Sequence, residues 1–260
     1  MLTSIELLLF GTAAGLAVGL TGGGGALIAV PLLVYGVGLD APQAVAISLL
    51  GVGASSIVGV LGRSRRAEVD WSVGAMLAFT GMLAAPVGAS LGTRLPEVIL
   101  LGAFGLLVAA VAVWMWTTAG RPSDMSVGPC AITRRRSWRC FGVLTTTGLA
   151  AGLLSGLFGV GGGFVIVPAV VFATGLPIHR AVATSLMVVS IISVVAFTSM
   201  MIDGRAIDWT IATLFLAGGL AGVGIGTLVC HLLPAARLQR AFALLLAAIG
   251  LGVLAESLLR

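Results

Sequence analysis

The stretch TGGGGALIAVP, from Thr21 to Pro31, decides how this chain folds, and a second copy, FGVGGGFVIVP, runs from Phe158 to Pro168. Each copy is a run of glycines followed by an apolar segment that ends in proline. Because glycine inside a helix costs about 1 kcal/mol relative to alanine, a helix is predicted to break at each run. At membrane depth, non-helical backbone is tolerated only where protein or a water-filled cavity surrounds it. Two matching breaks of this kind are typical of a transport site.

The composition is that of an integral membrane protein with multiple spans. Hydrophobic residues make up 59% of the chain and charged residues 9%, and the mean hydropathy is +1.18. The basic residues are all arginines, and most lie in short clusters between apolar runs, so the net charge of +5 is attributed to loops that face anionic lipid and not to nucleic-acid binding. The first apolar run is interpreted as a retained membrane segment, and the three cysteines, which lack metal-ligand spacing, as free thiols.

The segment 4–38 is too long to be one membrane helix. Its roughly 35 residues would form a helix of about 52 Å, whereas the hydrocarbon core is about 30 Å thick. It is therefore predicted to fold as two shorter helices, over 4–20 and 26–37, that meet at the glycines. Further apolar runs cover 41–61, 69–91 and 96–116 in the first half, and each of these is long enough to span. In the second half the pattern restarts with 141–157, 164–174, 178–202, 209–232 and 238–259.

The chain contains an internal duplication. Aligning Gly15 with Gly152 matches Pro31 to Pro168 and Ser48 to Ser185 without a gap, with roughly half of the positions identical. One inserted residue later the register continues, and Asp70 corresponds to Asp208. The polar, arginine-rich stretch 121–139 separates the copies, so the predicted organisation is a first transmembrane repeat over 1–120, a basic cytoplasmic linker over 121–139 and a second repeat over 140–260.

The predicted fold is thus an all-α polytopic membrane protein with two homologous repeats. Each repeat has a glycine-broken first segment, re-entrant or hairpin, followed by three transmembrane helices, which gives about 8 to 10 membrane segments. If each broken segment crosses once, the repeats are parallel, and Arg94, Arg180, Arg237 and Arg240 lie outside. If each is a hairpin, the repeats are inverted, and Arg94, Arg205 and Arg260 lie outside instead. The positive-inside rule slightly favours the inverted arrangement.

The glycine breaks are predicted to bind an anion. Helix amino ends there would present free N–H groups and partial positive charge, and glycine lets an anion approach the backbone closely. No Asp, Glu, Lys or Arg is predicted to lie deep in the membrane, since the best candidate, Glu6, is only a few residues from the amino terminus. This favours an anion over a cation as cargo. The candidate substrate-binding residues are the two glycine runs with the residue before each and one serine after each: Thr21, Gly22, Gly23, Gly24, Gly25, Ser48, Phe158, Gly159, Gly161, Gly162, Gly163 and Ser185.

Other glycines are assigned to close helix packing, because they recur at four-residue spacing: Gly11, Gly15 and Gly19, and Gly218, Gly222 and Gly226. Packing is also the rival explanation for the two glycine runs themselves. His179 and His231 lie at predicted span ends, where solvated or capping roles are expected, and Asp70 and Asp208 are expected to cap helices beside membrane-interface tryptophans. No catalytic residue, metal ligand or cofactor is predicted, so the protein is not expected to be an enzyme.

The duplicated motif resembles that of the sulfite exporter TauE/SafE transporters. The resemblance rests on Gly159, the run from Gly161 to Gly163 with Pro168, and the A-V-A-x-S elements of both halves, and it covers essentially the whole chain. The first copy differs in having Ala26 where the second has Gly163. The resemblance implies a secondary transporter that moves a small anion, such as sulfite, a sulfonate, a related sulfur oxyanion or an organic acid, across the inner membrane.

Several alternatives stay open at this stage. Transport by alternating access is expected to be coupled to protons, with flux driven by the substrate gradient alone as the alternative. The oligomeric state is open, with a homo-oligomer among the options. The rival functions are a cation or metal permease and a non-transporting membrane scaffold or assembly factor, for which the arginine-rich linker would be the docking surface.

Overall fold

The computed structural model of the protein describes residues 4–64, 68–92, 97–119, 138–158, 163–202 and 207–259. These residues form helices joined by short connections, and no strand occurs among them. The first half contains α1 (Ser4–Thr21), α2 (Gly25–Pro31) with a π-helical turn over Leu32–Gly36, α3 (Ala41–Ser64), α4 (Trp71–Gly92) and α5 (Glu97–Thr118). The second half contains α6 (Trp138–Phe158), α7 (Gly163–Thr174), α8 (Ile178–Ile202), α9 (Trp209–Leu232) and α10 (Ala235–Leu259).

Several of these helices are long and apolar enough to cross a membrane. Within the described residues five segments satisfy both conditions: Ser4–Thr21, Pro42–Ser64, Trp71–Gly88, Ile178–Ile202 and Trp209–Cys230. Shorter apolar helices cover Gly25–Gly36, Gly102–Thr118, Cys140–Leu154 and Val165–Thr174. The all-helical, multi-span membrane character predicted from composition is confirmed.

The helix break predicted at the first glycine run is present. Helix α1 ends at Thr21 and α2 begins at Gly25, within one residue of the predicted ends. The chain then turns back along α1, because Gly25 packs on Val18 whereas Gly36, eleven residues later, packs on Phe10. The first broken segment is therefore a hairpin.

The two halves are interleaved, not side by side, as the close contacts of α1 with α9 show. Gly11 packs against the backbone of Phe215, Gly15 against Gly219, and Gly19 against Gly226, so the two helices run parallel with their backbones in direct contact. A side chain at any of these glycines would collide with the neighbouring main chain. The assignment of this glycine series to helix packing is confirmed.

Helices α4 and α6 form a second close pair between the halves, in which α4 belongs to the first half and α6 to the second. Gly81 packs against Gly152, and Gly88 against Leu153 and Leu157, so these helices are also parallel. The pairs α1–α9 and α4–α6 each join one helix of the first half to one of the second.

Helices α3 and α8, which occupy corresponding places in the two halves, pack against each other in opposite directions. Gly53 of α3 contacts Ser193 of α8, whereas Gly59, further along α3, contacts Leu186, which is earlier in α8. Helices α5 and α10 are antiparallel as well, since Gln239 at the start of α10 donates to Thr118 at the end of α5. If each helix is replaced by its counterpart in the other half, the pair α1–α9 becomes α6–α4, and the pairs α3–α8 and α5–α10 become themselves. The set of major helix pairs is therefore symmetric between the halves.

Candidate functional site

The first glycine break has a backbone that only glycine adopts readily. Gly22 has φ +77° and Gly23 has φ +146°, both in the region that side chains disfavour. The Thr21 hydroxyl donates to the carbonyl oxygen of Ala17 at 2.6 Å and accepts from the N–H of Gly24 at 2.9 Å. The predicted site residue Thr21 thus closes α1 and holds the start of α2.

The break is tied to the other half of the protein by Ser185. Its hydroxyl lies 2.8 Å from the Gly22 carbonyl oxygen, 163 positions away in sequence, and 2.9 Å from that of Val182. Ser185 is completely buried, and every residue from Thr21 to Gly25 is buried. The structure therefore brings Thr21, the first glycine run and Ser185 together, in a conformation that is closed to solvent.

The second glycine break lies mainly outside the described residues, which include neither Gly159 nor Gly161 and Gly162. Its flanking positions are helix ends: α6 ends at Phe158 and α7 begins at Gly163. Ser48, the counterpart of Ser185, is 2% exposed on α3. The role of Ser48 in substrate binding stays a prediction.

Sequence reasoning missed a buried charge beside the first break. Arg63 is in the last turn of α3 and is 0% exposed, although its position at the end of an apolar run predicted a cytoplasmic loop. Its Nη2 donates to the carbonyl oxygen of Gly19 in α1 at 2.8 Å. Arg63 follows the predicted apolar run 41–61, so the burial concerns a charge at the end of that segment and not within it. The sequence offers one indication of this burial, because Ser64, the last residue of α3, separates Arg63 from Arg65 and Arg66.

His179 and Cys230 lie at the same end of the bundle as Arg63. The His179 ring is half-buried, and its Nδ1 is 3.7 Å from the Sγ of Cys230, a buried free thiol. The imidazole is also within electrostatic range of Arg63 and Glu68. His179 therefore lies at the start of α8, as predicted, in a packed and partly polar environment, and its solvated or capping role stays a prediction. The side chain of His231 lies outside the described part of the chain. Cys140 is disulfide-bonded, so the expectation of three free thiols is wrong for this residue.

The paired aspartates have the capping role that the sequence predicts. Asp208 accepts from the N–H groups of Thr210 and Ile211 at 2.9 and 3.3 Å, at the start of α9. Asp70 accepts from the N–H of Val73 at 3.3 Å, at the start of α4, and its own N–H donates to Thr184 at 3.0 Å. The described residues contain no group of three His, Cys, Asp or Glu side chains that would hold a metal ion.

The described residues form a polytopic helical bundle with a glycine-broken hairpin in its first half, an arrangement that is found in membrane transporters. The family model described as "Sulfite exporter TauE/SafE" matches residues 7–253 of the chain. The chain belongs to this family.

Curated relatives support the same class. A "Probable membrane transporter protein" of Xylella fastidiosa is 35% identical over 246 residues, which covers 94% of this chain and 92% of the relative. The "Probable membrane transporter protein YdhB" of Bacillus subtilis is 24% identical over 239 residues, covering 91% and 94%. A third, MJ0441 of Methanocaldococcus jannaschii, is 27% identical over 72% of this chain and 68% of its own. No solved structure matches the chain.

Proposed function

We propose that this protein is a secondary transporter that moves a small anion by alternating access around a site formed by its two glycine breaks. The site comprises Thr21, the glycine runs and their flanking residues, with Ser48 and Ser185 from the helices that pack on them. The observation that carries the proposal is the contact between the first break and the other half, through Ser185 and the Gly22 carbonyl. A site at such a contact changes its access when the halves move relative to each other.

Inverted repeats are part of this proposal. Corresponding helices α3 and α8 are antiparallel, as are α5 and α10, which is the relation expected of inverted copies. The first broken segment is a hairpin, in agreement with that arrangement and with ten membrane segments. The buried first break then represents one closed state of the cycle, since an anion reaches Gly22 only after the bundle rearranges.

The proposed topology follows from the helix directions and the arginines. Because α3 and α8 are antiparallel, the end of α3 and the start of α8 share one face, so Arg63 and Arg180 lie on the same side. That side also carries the basic linker, and we assign it to the cytoplasm of a cell with the protein in its inner membrane. Cysteines introduced at Ser64 and Arg237 are expected to react with an impermeant maleimide from the same side. Reaction from opposite sides would exclude the inverted arrangement.

The substrate is proposed to be sulfite, a sulfonate or a related sulfur oxyanion. The family description supplies the sulfur chemistry, and the glycine backbone supplies a surface that an anion can approach closely. We also propose that transport is coupled to protons. A homo-oligomer is compatible with this proposal. Uptake of labelled substrate into vesicles, with and without an imposed pH difference, decides whether protons drive the flux.

The proposal is tested by thermal unfolding of the detergent-purified protein in sulfite, thiosulfate, sulfate, sulfoacetate, taurine, acetate and divalent metals. An anion that binds only the folded protein raises the unfolding temperature in a saturable way. The increase is expected to be lost in Gly161→Ala and kept in Gly224→Ala, because Gly224 of α9 faces open space. Stabilisation by metals alone would favour a cation permease, and no stabilisation by any solute would favour a scaffold.

A further inference from the structure

Arg63 is a fully buried cation in the last turn of α3, and it contacts the end of α1, the helix that precedes the first glycine break. Its Nη2 contact to the Gly19 carbonyl oxygen lies in the last turn of α1, three residues before Gly22. Carbonyl groups at the carboxyl end of a helix lack intrahelical partners and carry partial negative charge, so a cation is favourable there. This contact, however, uses one of the five N–H groups of the guanidinium.

The other two guanidinium nitrogens of Arg63 do not take part in this contact with α1. Nε and Nη1 of Arg63 are buried, and neither has a hydrogen-bond partner among the described residues. Neither nitrogen donates to the carboxylate of Glu68, whose N–H donates to the Arg63 carbonyl oxygen at 3.5 Å. A buried charge is strongly unfavourable unless it is paired and hydrogen-bonded. The closed state therefore contains cationic donors that an anion would satisfy.

A purely structural role is not required by the fold. The duplication places Met200 or Met201 of α8 at the position of Arg63, depending on which side of Arg63 the inserted residue falls. The second half therefore has no arginine in this place, although α6 also ends at a glycine break. The charge distinguishes the first break from the second.

We propose that the Arg63 guanidinium binds the transported anion at the first glycine break, through its unpartnered N–H groups, while Nη2 stays on the Gly19 carbonyl. This inference rests on the proposed function and adds a binding residue to that site. It makes the two half-sites unequal: the first holds the charge of an oxyanion, and the second contributes no cation at the corresponding position. Planar guanidinium donors suit the oxygens of sulfite, sulfonate and carboxylate groups.

The test is equilibrium binding of radiolabelled sulfite to the purified protein and to Arg63→Gln, Arg63→Lys and Arg240→Gln. Charged hydrogen bonds are worth enough that Arg63→Gln is expected to raise the Kd by about tenfold or more. Arg63→Lys keeps the charge and reaches Gly19 but lacks the Nε–H, so an increase of about threefold is expected. Arg240, an exposed arginine of α10 at the same end of the bundle, is the matched control, and its variant is expected to keep the Kd.

Unfolding temperatures without anion separate the binding role from a structural one. A helix-capping role alone would lower the unfolding temperature of Arg63→Lys and Arg63→Gln and leave their Kd unchanged, which would overturn the inference while the proposed function stands. If Arg63→Gln does not fold, the Kd of Arg63→Lys decides in the same way. Absence of saturable binding by the unchanged protein to sulfite, thiosulfate and sulfoacetate would instead refute the proposed function, and the inference with it.

Discussion

Gly22→Ala is expected to destabilise the protein because two independent restraints meet at this residue. Its φ of +77° is left-handed, which costs a residue with a Cβ about 1–2 kcal/mol. A Cβ would also collide with the Ser185 hydroxyl and lie 2.8 Å from the Val182 carbonyl oxygen. Moving Ser185 away breaks its hydrogen bond to the Gly22 carbonyl, worth about 0.5–1.5 kcal/mol. The expected total is about 1.5–3.5 kcal/mol.

Gly38→Ala is the matched control for this substitution. Gly38 has nearly the same φ, +78°, but a Cβ there would meet nothing within 4 Å. Both variants lose the same freedom of the unfolded chain, so the difference between them measures the crowding at the break. The assay is unfolding of the detergent-purified proteins followed by tryptophan fluorescence. Gly22→Ala should be less stable than Gly38→Ala by about 1 kcal/mol, or about 2–4 °C. Equal stability of the two variants would refute the packing of Ser185 against the break.

Three further substitutions test the fold around the site. Ser185→Ala should lower the free energy of unfolding by about 1–3 kcal/mol, because it leaves the buried Gly22 carbonyl without its donor, and a change below the error of the unfolding assay would contradict that contact. Gly222→Ala places a Cβ against the backbone of α1 and should reduce the yield of folded protein. Gly224→Ala, two residues along the same helix, should leave the yield unchanged. Equal yields of the two variants would argue against the close α1–α9 packing. Asp208→Ala removes the cap of α9 and should cost about 1 kcal/mol in an unfolding titration, unless Thr210 and Ile211 bond to another acceptor.

The helix breaks and the pairing of glycines could be predicted from the sequence because both depend on local chemistry. Four consecutive glycines end a helix wherever they occur, and the four-residue spacing of Gly11, Gly15 and Gly19 places them on one face. The partner of that face could not be predicted. Helix α1 packs on α9 of the other half, a contact between segments about 200 residues apart that the local pattern does not encode.

The polar contacts of the site were harder to predict than the backbone. Ser185 is a candidate substrate-binding residue because it matches Ser48 across the duplication, yet the sequence does not reveal that its hydroxyl reaches the Gly22 carbonyl. Arg63 was missed since an arginine after an apolar run is normally solvated at the membrane surface. Its burial depends on where α1 ends relative to α3, which is a property of the packed bundle.

The measurement that tests anion transport most directly is counterflow of radiolabelled sulfite into proteoliposomes preloaded with unlabelled sulfite. A carrier that alternates between an inward-facing and an outward-facing state exchanges internal for external substrate and accumulates label transiently, even without an ion gradient. We expect such accumulation with the unchanged protein and with Gly224→Ala, and its loss with Gly161→Ala. Absence of counterflow for sulfite, thiosulfate and sulfoacetate, in protein shown to be folded, would contradict an anion transporter built around the glycine breaks.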